Sequence, residues 1–365
     1  MIVETFDLLL SFQAGLPPII HEDEYDTEPP SNLFDTDFDE TCKMLPPSRP
    51  PSDPTPMLYY CYKSRLAKML RRVIRHALAL KPTSHEDTMK LDRDIHEMHT
   101  EIPPSLRMRS FSSQFMDPAY VIVDRLNIDQ MYLRCLCVLH RKYLSQDRSN
   151  PTFDYSRKTC TDAALKMMKY QADLHIACQP GGQFSNDGWM FTSLQLHDFL
   201  LAAMIICLDL YESQAKLANA SPQDAKAQIE KYDALQLSHD IWMSRKATSR
   251  DARRASDVLA VMLSKVPRPN TVSDSVDTVQ DLSTVSQVMT ERQHVARTPT
   301  NSSGSSSWTT SGFDVPGQGL PVDNNASQGS NTVNPLDTIF GVADSIDWVS
   351  REGLHSIEMP KLIAM

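Results

Sequence analysis

Glycine is scarce in this chain, at 11 of 365 residues against 18 methionines. So little glycine leaves few tight turns for a sheet protein, and with leucine and methionine at helical spacing it predicts an all-α fold. The CxxC spacing is missing. Seven cysteines stand at 42, 61, 135, 137, 160, 178 and 207, behind a start without a basic, apolar and cleavable signal pattern. Reduced thiols in an intracellular compartment follow. Long apolar runs are missing too: the longest, Phe199 to Leu208, has ten residues, half of the roughly 20 that cross a bilayer. It reads as a core helix, with no membrane contact. Neither GxSxG, a P-loop nor GxGxxG occurs, so no catalytic, cofactor-binding or metal residue is assigned and the chain is read as a non-enzyme.

What is present is unevenly spread. Residues 1–56 carry twelve acids and two bases, which accounts for the whole formal charge of -10. The body is therefore neutral, with no field of one sign to draw a polyanion across it.

Residues 2–14 read as a short helix stopped by Pro17 and Pro18, because proline lacks the amide and clashes with the preceding turn. From there to Pro56 prolines and acids alternate. This connector is extended and ordered, held by Ile19, Ile20, Leu33 and Phe34, or else a mobile surface loop. Residues 57–80 form the clearest helix, with Arg65, Lys68, Arg71, Arg72 and Arg75 on one arc. Leu66, Leu70, Val73, Ala77 and Leu80 lie on another, and Lys63 is the exception near the apolar side.

Helices follow at 117–144, with Ile122, Leu126, Leu133, Leu136, His140 and Tyr143 inward, and at 156–178, with Cys160, Ala164, Met167, Leu174 and Cys178 inward. Asp187 offers an N-cap for a helix to Glu212, apolar on nearly all sides and expected to be the most buried. Ser221, Pro222 and Asp224 signal a helix to Lys246, and a last helix runs from Ser249 to Val266 with Ala255, Val258, Leu259 and Met262 inward. Residues 267–335 are rich in Ser, Thr, Asn, Gly and Pro and read as a disordered linker. Residues 336–365 open with an acidic and aromatic stretch, LDTIFGVADSIDWV, of the kind a partner's groove accepts.

Five groupings invite chemistry. Asp35, Asp37 and Asp39 begin a calcium-loop pattern, but Glu40 stands where glycine is needed and Pro46 where the bidentate acid belongs. A magnesium motif would need these acids on a helix, so they read as a solvated loop or a partner for the basic helix. His96, Glu97 and His99 spell HExH, one residue short of the two-histidine zinc spacing, and read as exposed helix residues. His140 and His197 read as hydrogen-bonded core histidines, and Cys135 and Cys137, on different sides of one helix, as core packing. The basic face of 57–80 reads as internally paired or solvated rather than DNA-bound.

Four segments carry a likeness: GLPPII with SNLFDTDFDE; LPPSRPPSDPTPMLYYCYKSRL; LCVLHRKYL followed by SRKTCTDAAL; and WMFTSLQLHDFLLAAMIICLDLY. In order and spacing, from about 15 to 211, they resemble the fungal-specific transcription factor domain, the middle homology region of fungal zinc-cluster transcription factors. The resemblance implies an irregular multi-helix regulatory domain, nuclear, acting on RNA polymerase II genes. Its partners would be transcriptional coactivators or other regulator subunits, with a homo- or heterodimer left open. In this scheme residues 1–56 are the first helix and acidic connector and 57–266 the helical core.

The family's six-cysteine binuclear cluster finds no counterpart among the cysteine spacings here. DNA is then reached only indirectly or through a segment missing from the start. The chain begins inside what resembles the regulatory domain, and so reads as a fragment, a truncated gene or a regulator that lost its DNA reader. The alternative is an all-α small-molecule binder or enzyme, with a pocket enclosed between the 117–144 and 187–212 helices.

Overall fold

The computed structural model describes residues 2–21, 24–191, 193–214, 222–266 and 268. The expected linker at 267–335 and the acidic–aromatic segment at 336–365 lie outside the described residues, apart from Arg268, as does the capping Ser221. Eight α-helices and no strand occur among the described residues: α1 Ile2–Gln13, α2 Leu58–Ala77, α3 His85–Thr100, α4 Ala119–His140, α5 Asp154–Ala177, α6 Ser193–Ser213, α7 Pro222–Ser244 and α8 Arg250–Lys265. The all-α expectation is met.

The centre of the bundle is α4, which packs along α2 and α5 and also meets α3 and α6. Seventeen of its 22 residues are buried, including every residue from Ile128 to His140. That corrects the sequence expectation, which gave the most buried place to α6. The physical reason is that α4 carries Arg125, Asp129 and Arg134, whose burial is tolerable only because other elements supply partners. Arg134 forks onto Asp198 of α6 (Nε–Oδ1 2.6 Å, Nη2–Oδ2 2.5 Å), with both side chains at most 5% exposed. Asp129 accepts from the Tyr170 hydroxyl at 2.8 Å and pairs with Lys166 at 2.8 Å.

Around this centre, α6 and α7 pack on α5, and α8 packs on α6 and α7. Ser249 caps α8 by accepting from the Ala252 amide at 3.2 Å, as its position suggested, and Ala255, Leu259 and Met262 are buried. Asp187 does not open α6. It precedes a 3-10 turn, Gly188–Met190, and the helix begins at Ser193. Gly181 and Gly182 turn the chain after α5. Gly181 takes φ of +83°, and a Cβ on Gly182 would stand 2.3 Å from the Ala177 carbonyl oxygen. The turn brings the Phe184 amide onto that same carbonyl at 2.8 Å.

The connector is ordered over its described residues, but polar groups hold it more than apolar ones. Leu33 is buried as expected, whereas Ile19 is 76% exposed and Phe34 37%. A proline-rich strip has little apolar surface to bury and many backbone groups to satisfy. Asn32, 2% exposed, does this work: its Nδ2 donates to the carbonyls of Arg49, Pro50 and Asp53, and its Oδ1 accepts from the Thr55 amide and hydroxyl. Asn32→Ala should cost about 2 kcal/mol by orphaning those groups. Hydrogen exchange should show the loss confined to residues 48–57, and unchanged protection there would refute this role.

The other end of the connector is held by α1. Asp7 accepts from the amides of Ile19 and Ile20 at 3.2 and 3.0 Å, and Glu4 accepts from the Tyr25 hydroxyl at 2.5 Å.

Candidate functional site

Two of the three acids that suggested a calcium loop, Asp37 and Asp39, are already occupied. Asp37 accepts both Arg49 Nε (2.8 Å) and Nη2 (2.6 Å) and the Phe34 amide at 2.8 Å, so its carboxyl drops to about 2. Asp39 accepts from the amide and hydroxyl of Thr41. Their partners lie within the connector itself, not on the basic helix, and no group of three potential metal ligands forms among the described residues.

The basic face of α2 is largely neutralised from inside. Arg65 pairs with Glu101 and Arg72 with Asp94 at 2.6 Å. Arg71, assigned to the exposed arc by its spacing, is 1% exposed: it donates to the Ile20 carbonyl and meets Glu4 at 3.3 Å. The residue is buried because α1 and the connector cover that part of the arc. Leu80, expected inward, lies past the helix end and is fully exposed. Exposed pairs add little stability, but each cancels a charge that would otherwise face a phosphate.

Of the HExH residues Glu97 is exposed as expected, whereas His96 and His99 are half-buried. His99 stacks on Tyr132 with centroids 3.8 Å apart and reaches Asp129 at 3.4 Å, while His96 meets the same ring edge-on at 5.9 Å. His140 is wholly buried, with Nε2 3.0 Å from Asp92 Oδ1, and Tyr155 donates to the other Asp92 oxygen at 2.8 Å. Only His197 departs from the core reading, since it is exposed. Cys135 and Cys137 are buried as expected, and all seven cysteines are free thiols. Burial pushes the Cys135 thiol up to about 12, which makes it a poor nucleophile.

Burial alone would raise Asp92 and Asp129, yet His140 and Tyr155 on the first, and His99, Lys166 and Tyr170 on the second, hold both carboxyls below their ordinary value. A depressed carboxylate stabilises the fold fully above the unfolded pKa, near 4, and less as pH falls toward the folded value. Thermal unfolding measured from pH 7 to pH 3 should therefore weaken below about pH 4, and Asp92→Asn should remove part of that decline. A profile rising toward pH 3 would contradict the assignment.

One concave feature stands apart from these internal networks. A cleft of about 440 Å³ opens where the C-terminal ends of α5 and α7 meet the start of α6, with Leu174, Phe199 and Trp242 among its lining and His175, Gln179 and Arg245 among its polar residues. It is not the pocket that the alternative small-molecule or enzyme reading places between α4 and α6, where the Arg134–Asp198 pair sits. Sequence reading missed it because these residues come from separate helices and match no motif. No described helix is long and apolar enough to cross a membrane.

The comparisons agree with the sequence resemblance. The chain is similar to the Zn(2)-C6 fungal-type transcription factor mpsB of Macrophomina phaseolina, 36% identical over 276 residues, 74% of this chain and 37% of the relative. It is also similar to the Zn(2)-C6 fungal-type transcription factor pigI of Monascus ruber, 33% identical over 73% of this chain and 33% of the relative. A third relative is the equisetin cluster transcription factor eqxF of Fusarium heterosporum, 34% identical over 72% of this chain and 38% of the relative. The chain thus matches little more than a third of the length of these curated relatives. No family model matches the chain, and no solved structure does.

Proposed function

We propose that this chain is the regulatory region of a fungal transcription regulator, working in the nucleus on RNA polymerase II genes. The observation that carries the reading is the 36% identity to a Zn(2)-C6 fungal-type transcription factor across 74% of the chain. Two features of the described residues are consistent with it. The buried His140–Asp92 and Arg134–Asp198 groups pair with each other inside the bundle, which suits a scaffold better than a reaction centre. The basic helix is paired to the chain's own acids, which suits a body that reaches DNA through another module.

In this reading residues 57–266 form the body, with the first helix and connector of 1–56 packed across it, and the acidic–aromatic stretch that opens 336–365 recruits coactivators: its acids keep bulky apolar groups soluble until a partner's groove takes them. The test is a reporter assay with the chain fused to a heterologous DNA-binding domain. Deleting residues 336–365 lowers reporter output several-fold, and unchanged output removes the recruitment role.

A further inference from the structure

The cleft between α5, α6 and α7 has the make-up of a ligand site. Its volume, about 440 Å³, falls in the range of roughly 300–1,000 Å³ typical of small-molecule pockets. Leu174, Phe199 and Trp242 give it an apolar wall and are themselves at most 6% exposed, so the wall is rigidly backed by core. No carboxylate lines it among the described residues. Arg245, exposed at the end of α7, meets no carboxylate among the described residues. An exposed guanidinium at the mouth of an apolar cleft is free to take up an anion there. The buried Trp242 indole N–H has no acceptor among the described residues, although buried tryptophans usually find one.

We propose that this cleft binds a small organic anion with a flat apolar body, the body lying against Trp242, Phe199 and Leu174 and its carboxylate or acidic enol held by Arg245. A guanidinium grips such a group through two parallel hydrogen bonds, and a flat ring suits an aromatic wall. An ammonium ligand would face an uncompensated like charge, and a wholly apolar one would gain nothing from Arg245. Binding here does not depend on whether the chain regulates transcription, so the two readings fail separately.

The test is calorimetry on the full 365-residue chain with 1-naphthaleneacetate and with 1-naphthalenemethanol, which share an apolar body and differ in charge. The anion binds one to one and at least about tenfold more tightly than the alcohol. Arg245→Gln, at an exposed site that leaves the core intact, erases that preference and spares the alcohol, while Ser244→Trp at the rim blocks both. Absence of binding by either compound, equal affinities for the two, or an anion affinity unchanged in Arg245→Gln would overturn the proposal. So would binding of the anion only after deletion of residues 336–365, which would assign the cleft to the chain's own acidic–aromatic segment.

Discussion

Arg134→Ala should lower the unfolding free energy by about 3–5 kcal/mol, the largest effect of any single substitution considered for this chain. The guanidinium lies at the middle of the bundle, gripping Asp198 at 2.6 and 2.5 Å. Removing it leaves the Asp198 carboxylate, 3% exposed, without its counter-ion in a medium that cannot solvate it. Burial already raises that carboxyl against the pull of Arg134, so its loss should drive Asp198 to take up a proton. The double variant Arg134→Met with Asp198→Leu removes both charges and should recover most of the loss, because replacing a buried pair by apolar groups of similar size is often neutral. Urea denaturation of the three variants measures this. A single-variant loss below about 1 kcal/mol would mean that α4 and α6 are held together by apolar packing alone.

Arg71→Met should have the next largest effect, about 2–3 kcal/mol, and a local one. The side chain is almost wholly buried and joins three pieces: α2, which carries it, the Ile20 carbonyl of the connector, and Glu4 of α1. Methionine keeps the apolar stem but leaves Glu4 with only the Tyr25 hydroxyl and orphans the Ile20 carbonyl. Segments with few buried apolar contacts open first, so α1 and the connector should loosen while α2 to α8 stay folded. Limited proteolysis reads this directly. The variant should be cut within residues 2–56 well before the parent, with the rest of the chain protected. Cleavage spread evenly over both parts would show that Arg71 supports the whole body instead.

These residues also mark where sequence reading succeeded and where it stopped. Local signals worked: the Pro17–Pro18 stop gave α1, the amphipathic spacing gave α2, and Ser249 gave the start of α8. Periodicity failed wherever a second element decides the outcome. Arg71 sits beside Arg72 in the chain and on the same arc, yet only Arg71 is covered, because α1 and the connector come from 50 residues and more away. The charges of α4 made it look half-exposed beside the purely apolar middle of α6, since their partners Asp198, Lys166 and Tyr170 are distant in sequence. His96 and His99 looked exposed because nothing local announces the Tyr132 ring on which they rest. Asn32 resembled any loop asparagine until the carbonyls it gathers were in view. The cleft was illegible for the same reason: Leu174, Phe199 and Trp242 read as ordinary core residues, and only the bundle brings Arg245 to their edge.

On the proposed reading this chain changes transcription only when another module brings it to DNA. The most direct measurement compares one reporter under two conditions: the chain fused to a heterologous DNA-binding domain with sites upstream of the promoter, and the chain expressed unfused. Output should change several-fold with the fusion and not at all without it. An inert fusion, or an unfused chain that alters the reporter by gripping its promoter DNA at physiological ionic strength, would contradict it.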